Sequence, residues 1–391
     1  MTLKTLSIFG TRPEAIKMAP LVIALENDDF FDSYICVTGQ HKQMLDQVLD
    51  FFSIIPDFKL DIMRKDQDLF DITANVLLSV RDVLRSLKPD LVFVHGDTTT
   101  CFSAALAAFY EGISVAHIEA GLRTGNLAAP FPEEMNRTLV GNFAGYHFCP
   151  TNKAKKNLLK QGVNENNIWI TGNTVIDALK LALCKVAISD NWIEKIDKKL
   201  SGILNNPSRD LVLITGHRRE NFGQGFQNLC QAIKTLSLKY PNWDFVYPVH
   251  LNPNVQKPVF EILENLSNVH LIKPLDYPSF IGLMNSCDII LTDSGGIQEE
   301  APALGKPVLV MRNETERPEA VKAGTVRLVG TAAEDIILNV EDIMLNPDVY
   351  QKMSEAHNPY GDGNAVSRIV TALKSIYDDV DQTATSLYSA I

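Results

Sequence analysis

Five short polar clusters in this sequence combine residue types suited to binding and proton chemistry. They are Gly10-Thr11-Arg12-Pro13-Glu14, His95-Gly96-Asp97-Thr98-Thr99-Thr100, Glu119-Ala120-Gly121-Leu122-Arg123, Gly216-His217-Arg218-Arg219-Glu220-Asn221 and Asp293-Ser294-Gly295-Gly296-Ile297-Gln298-Glu299-Glu300. Ser294-Gly295-Gly296 opens a helical pattern. Glycine lets an anion approach the main chain, and free N–H groups at a helix start favour a diphosphate. The same residues also suit a plain cap with a tight turn. Glu300, further along, is in range of a ribose diol or is a solvated charge. Arg12 and Lys17 can bring positive charge to a pyrophosphate. His217-Arg218-Arg219 is a dense cationic group, suited to an anionic ligand or to surface ion pairs. Asp97, Glu119, Glu133 and Glu134 are carboxylates suited to moving protons. Glu133 and Glu134 follow the rigid stretch Pro130-Phe131-Pro132 and make the first turn of a helix acidic, with Arg137 on its next turn.

Other chemistries are disfavoured. The turn after the first strand pattern lacks the G-x-G-x-x-G fingerprint of dinucleotide binding, so no redox cofactor is expected. His95, His117, His147 and His270 follow strand residues, where core packing is the default, and His250 and His357 adjoin turns. No set has metal-ligand spacing, so no metal is expected. The net charge of −11 argues against nucleic acid or an anionic membrane as partner. No apolar run approaches the roughly 20 residues of a membrane span. The N-terminus enters a strand pattern directly, without a secretion signal. The six cysteines, Cys36, Cys101, Cys149, Cys184, Cys230 and Cys287, form no C-x-x-C pair. Reduced thiols in a cytoplasmic protein are the expectation.

The elements that must position these groups alternate between short apolar runs and helical patterns. Strands are predicted over 5–9, 34–38, 91–94, 115–118 and 146–149, and again over 211–215, 245–248, 269–272, 289–292, 308–311 and 326–329. Helical patterns between them include 14–25, 43–52, 72–87 and 99–110. Such alternation builds βαβ units and parallel sheets. At 391 residues, with 46% hydrophobic content, the chain reads as two α/β domains. They are expected at 1–172 and 173–364, followed by a helix at about 365–380. All five clusters fall at the carboxyl ends of predicted strands, where open parallel sheets bind ligands. Together they suit one cleft between two domains.

The motifs resemble those of the non-hydrolysing UDP-N-acetylglucosamine 2-epimerases. The likeness rests on Phe9-Gly10-Thr11-Arg12-Pro13-Glu14-Ala15-Ile16-Lys17-Met18-Ala19-Pro20, His95-Gly96-Asp97-Thr98, His117-Ile118-Glu119-Ala120-Gly121-Leu122-Arg123, Phe131-Pro132-Glu133-Glu134, Gly216–Asn221 and Thr292–Glu300. It continues through Glu316-Arg317-Pro318-Glu319 and Asn358-Pro359-Tyr360-Gly361-Asp362-Gly363, in the family's order over nearly the whole chain. The resemblance implies a GT-B-like fold of two Rossmann-like domains, a C-terminal helix returning to the first domain, and a homodimer without cofactor. It implies UDP-N-acetylglucosamine and UDP as ligands. Arg12, Lys17, Arg137, Ser294, Gly295, Gly296, Glu300 and Arg317 would contact the UDP-sugar, with Phe280 and Leu275 near the uracil. Some relatives have glutamine where this chain has Leu275. Asp97, Glu119, Glu133 and His217 would carry or support the chemistry. In some relatives a second UDP-N-acetylglucosamine activates the enzyme, and Gln40, Gln43, Arg218 and His250 match its contacts. One further arginine contact falls in the segment Arg64-Lys65-Asp66.

The implied reaction explains the residue types. The C2 hydrogen of the sugar has no neighbouring carbonyl and is not acidic. Breaking the C1–O bond to UDP develops positive charge at C1, which acidifies that hydrogen. Elimination then gives a 2-acetamidoglucal and UDP, and re-addition with protonation of the other face gives UDP-N-acetylmannosamine, a precursor for bacterial surface polysaccharide. Such a site needs cations at the leaving diphosphate, carboxylates near C2 and exclusion of water. A hydrolysing epimerase releasing N-acetylmannosamine and UDP, a GT-B glycosyltransferase and a sugar-nucleotide sensor are the rival expectations. Which carboxylate is acid and which base is left open.

Overall fold

In the computed structural model, residues 2–39, 42–62, 67–188, 192, 198–204, 206 and 208–388 are described. Gln40, Arg64, Lys65 and Asp66 lie outside them, as does the Gln43 side chain. The chain forms two units, Met1–Ala178 with Tyr360–Ile391, and Leu179–Pro359. The division falls six residues beyond 172, because Thr174–Ile188 is one continuous helix that carries the chain across it.

The first unit holds a seven-stranded sheet in the order β3-β2-β1-β4-β5-β6-β7. The strands are β1 (Leu3–Phe9), β2 (Phe31–Val37), β3 (Phe58–Lys59), β4 (Leu91–His95), β5 (Ser114–Ile118), β6 (Tyr146–Cys149) and β7 (Ile168–Ile170). All are parallel, with Thr5 opposite Leu91 and Leu6 opposite Tyr34. Helices cover both faces, so β4 is buried at every residue and reads as an unbroken apolar run. Leu6, Ile8, Val92 and Val94 pack with Val76, Val80, Val83, Ala104 and Ala108 of the flanking helices. Each such buried aliphatic side chain contributes roughly 1.5–3 kcal/mol relative to exposure.

The second unit holds β8 (Asp210–Thr215), β9 (Trp243–Pro248), β10 (Val269–Ile272), β11 (Ile289–Thr292), β12 (Val308–Val310) and β13 (Val326–Leu328). Their order is β10-β9-β8-β11-β12-β13, again with every pairing parallel. This is the doubly wound 3-2-1-4-5-6 arrangement. Phe226, Phe245, Tyr247 and Leu291 lie in its core.

In both sheets the strand order reverses once, between β1 and β4 and between β8 and β11. At that point the following helices leave on opposite faces and the strand ends open a crevice. The Arg12, Asp97, His217 and Ser294 clusters follow those four strands.

Local chemistry shapes the first crevice. Thr11 caps the helix Arg12–Glu26, and its N3 residue Glu14 completes a capping box by accepting from Thr11 N at 2.7 Å. Glu14 also accepts from Gly10 N at 3.0 Å and from the Thr98 hydroxyl at 2.6 Å, which ties the loop after β1 to the loop after β4. Gly10 is required for space, since a Cβ there would stand 1.9 Å from Thr38 Oγ1.

The helix Ala365–Tyr388 lies against the helix Arg12–Glu26. Asp177 caps it from another helix, accepting from Ala365 N at 3.2 Å and Val366 N at 3.0 Å. Lys374 pairs with Asp28 at 2.7 Å.

Candidate active site

In the first unit, Lys17 is one turn into the helix after β1, Asp97 follows β4, Glu119 follows β5 and Glu133 starts the helix Glu133–Phe143. The Lys17 ammonium donates to Glu119 Oε1 at 2.8 Å and to Oε2 at 2.6 Å. His95 Nε2 lies 2.9 Å from Glu119 Oε2, and Asn173 Nδ2 donates to Oε1 at 3.3 Å. Burial opposes the charge of Glu119, but the Lys17 ammonium and His95 hold its carboxyl well below the usual range. Its backbone has φ +62°, a left-handed conformation costly for a residue with a Cβ. Strain of this kind, about 1–3 kcal/mol, persists where surrounding bonds enforce it and concentrates at functional sites.

Asp97 is tuned the other way. Burial pushes its carboxyl up to about 6, with Arg137 opposing and Glu119 and Glu133 adding to the rise. Arg137 Nη1 reaches Asp97 Oδ2 at 3.3 Å, while its Nε is held by Glu134 at 2.7 Å. Asn136 Nδ2 donates to the Asp97 carbonyl at 2.9 Å. Glu133 Oε2 is buried and has no hydrogen-bond partner among the described residues. The cluster therefore holds one locked carboxylate, one carboxyl able to exchange a proton near neutral pH and one unsatisfied carboxylate oxygen. That is a set for acid–base work. Glu134 is engaged elsewhere: it accepts from Thr124 N at 3.0 Å and Gly125 N at 2.9 Å and shapes the loop before its helix.

In the second unit, His217 and Arg218 follow β8, and Ser294, Gly295 and Gly296 follow β11. The His217 and His250 rings stack with centroids 5.6 Å apart. A Cβ on Gly295 would lie 3.6 Å from Arg218 Nη2, so the glycine turn and the cationic cluster share one place. The helix after the glycines is short, Ile297–Glu300, continuing as a 3₁₀ turn over Ala301–Leu304. Glu299 and Glu300 are both buried, and Glu299 carries the Nε of Arg317. Gln298 accepts from Thr315 at 2.6 Å, which anchors the loop that carries Arg317. Leu275 lies after β10, and Phe280 lies in the helix Tyr277–Ser286; both are half-buried.

Four positioning groups were given no role of their own by the sequence: His95, Asn173, Asp293 and Glu299. His95 and Asp293 had a visible signal, a titratable residue closing an apolar strand. The Lys17 ammonium, expected at the pyrophosphate, is paired with Glu119. Among the described residues no group of His, Cys, Asp and Glu has the arrangement of a metal site.

Residues 23–374 match the family model described as UDP-N-acetylglucosamine 2-epimerase. The chain is 55% identical to the UDP-N-acetylglucosamine 2-epimerase of Escherichia coli K12 over 373 residues, 95% of this chain and 99% of that one. It is 54% identical to the enzyme of the same name from Campylobacter jejuni over 377 residues, 95% and 98% of the two chains. Among solved structures it is similar to the UDP-GlcNAc 2-epimerase of Neisseria meningitidis bound to UDP-GlcNAc, with TM-score 0.84 and 49% identity over 95% of this chain and 100% of that one. A glycosyltransferase of kitacinnamycin shares the fold alone, with TM-score 0.63 and 11% identity over 95% of this chain and 100% of that one.

Proposed function

We infer what this chain does from the family it belongs to, the UDP-N-acetylglucosamine 2-epimerases. It is an isomerase of the non-hydrolysing type, interconverting UDP-N-acetylglucosamine and UDP-N-acetylmannosamine. The observation that supports the chemistry best is the carboxylate cluster at the β1/β4 switch point. Direct removal of the C2 proton is closed to a carboxylate, so the C1–O bond must break with it. In our reading Arg12 and Lys17 of the first unit meet the negative charge of the leaving group. Asp97, with its carboxyl near 6, exchanges the C2 proton, and Glu133 serves the opposite face. Glu119 stays ionised and holds Lys17 in place.

The test is incubation of the protein with UDP-N-acetylglucosamine in heavy water, followed by NMR. Both epimers should appear, each with deuterium at C2, because the proton lost on one face is not the one gained on the other. Free N-acetylmannosamine with UDP as the main products would make it a hydrolysing enzyme. Intact hydrogen at C2 after equilibration would overturn the elimination.

We further propose a homodimer. Phe70 and Leu78 on the helix Leu69–Leu87, and Phe109 and Tyr110 on the helix Thr99–Tyr110, are exposed, and these two helices pack side by side. Exposed aromatic side chains on adjacent helices suit a partner copy. Sedimentation should read twice 43.4 kDa, falling to 43.4 kDa in Phe109→Glu/Tyr110→Glu; a wild-type chain at 43.4 kDa removes the proposal. The six cysteines are unpaired, which suits a reducing cytoplasm, where we place the enzyme. Among the described residues no helix is long and apolar enough to cross a membrane.

A further inference from the structure

Asp293 closes β11 and is completely buried. A buried carboxylate is costly unless every lone pair is used. Here they are used on one target. Asp293 accepts from His217 N at 3.0 Å, from Arg218 N at 2.9 Å and from Asn221 Nδ2 at 3.2 Å. Asn221 in turn donates to the Met311 carbonyl at 3.2 Å. The carboxylate also faces the side chain it anchors, with His217 Nδ1 3.5 Å from Asp293 Oδ1. Three bonds and a facing charge thus converge from β11 on the turn after β8.

We propose that Asp293 is the positioning residue for His217 and Arg218, fixing the turn that presents them and facing the imidazole with its carboxylate. A capping serine or asparagine would satisfy the same two N–H groups without a buried charge. What the carboxylate adds is electrostatic. The groups facing His217 are Asp293, Arg218 and the stacked His250. Burial and the two cationic or ionisable neighbours disfavour a charged imidazole, and Asp293 alone opposes them. A carboxylate beside Nδ1 also favours the tautomer that keeps its proton there, which leaves Nε2 to face a ligand. Arg218 gains its direction from the same anchor, since its own N–H is one of the bonded donors.

The proposal rests on His217 serving the epimerisation, so its test needs a readout independent of turnover. Asp293→Asn keeps the size and one acceptor oxygen and removes the charge. The His217 imidazole, identified by the NMR signal missing in His217→Asn, should titrate at lower pH in Asp293→Asn than in the wild type. The turnover number should fall by about 10²–10³-fold, within the range for groups acting through an acid–base residue, while KM changes less than about threefold. Asn221→Ala, which removes one of the three donors, should act in the same direction by about 5–20-fold on kcat and stands in if Asp293→Asn does not fold. An unchanged His217 titration together with kcat within about twofold of wild type in the folded variant overturns the proposal. A lower melting temperature with His217 titration and kcat unchanged reduces Asp293 to a structural cap and overturns it equally. If the wild type fails to epimerise UDP-N-acetylglucosamine, the functional reading falls, and the NMR titration still decides whether Asp293 governs His217.

Discussion

Glu119→Gln is expected to lower the turnover number by about 10²–10⁴-fold and to destabilise the protein as well. The two effects have one origin. Glu119 accepts from the Lys17 ammonium on both oxygens, at 2.6 and 2.8 Å, in a place where its own side chain is 5% exposed and that of Lys17 is 16% exposed. Replacing the carboxylate by an amide removes the charge that the Lys17 ammonium is paired with, and breaking a buried pair from one side costs about 3–5 kcal/mol. Lys17 loses the anchor that sets its position, and His95 and Asn173 lose the carboxylate they converge on. The two consequences separate in Lys17→Met/Glu119→Gln. That double variant should recover most of the lost melting temperature and none of the lost activity. A single variant with near-normal kcat would remove Glu119 from the site.

Asp97→Asn should cost a similar factor in turnover, about 10²–10⁴-fold, with the opposite effect on stability. Its carboxyl is raised from 3.8 to about 6 by burial and by Glu119 and Glu133, with the Arg137 guanidinium opposing. The folded protein therefore holds this proton more tightly than the unfolded chain. Below pH 4 both states are protonated and the residue is neutral toward folding. Between about pH 4 and 6 the unfolded chain ionises first, and stability falls as pH rises. Above about 6 the folded protein bears the whole cost of the buried charge. Asparagine removes that cost, and Arg137 keeps Glu134 as partner at 2.7 Å. The melting temperature of Asp97→Asn should thus match the wild type near pH 4 and exceed it at pH 7–8. The wild-type rate should also show a limb near pH 6 that the variant lacks. A variant less stable than wild type at pH 8 would contradict the direction of the Asp97 shift. Loss of activity with gain of stability is the pattern of a site kept strained for its chemistry.

Much of this was legible from residue order. Parallel strands covered on both faces are continuous apolar runs, so β1, β2, β4, β5, β6 and all six strands of the second sheet stand out in the sequence. The polar clusters closing them were visible for the same reason: a charged residue ending an apolar run has a location. The edge strands β3 and β7, of two and three residues, were not predicted. Nor was the crossing point at Ala178, since a helix that spans two units has no break in its periodicity.

The sequence by itself determined which chemical groups are present and that they gather at strand ends, because hydrophobic patterning and short motifs are local properties of the chain. Only the tertiary structure decided which groups face each other. Lys17 and Glu119 are 102 positions apart, and Asp293 and His217 are 76 apart, yet each pair shares one pocket. That pairing decides the chemistry. Asp97 and Glu119 are both carboxylates ending neighbouring strands, and residue type assigns them the same acidity. Their neighbours separate them: a lysine and a histidine keep one ionised, while burial beside other carboxylates leaves the other able to carry a proton near pH 6. Charge interactions of this kind depend on distance and burial, and neither is a property of sequence order.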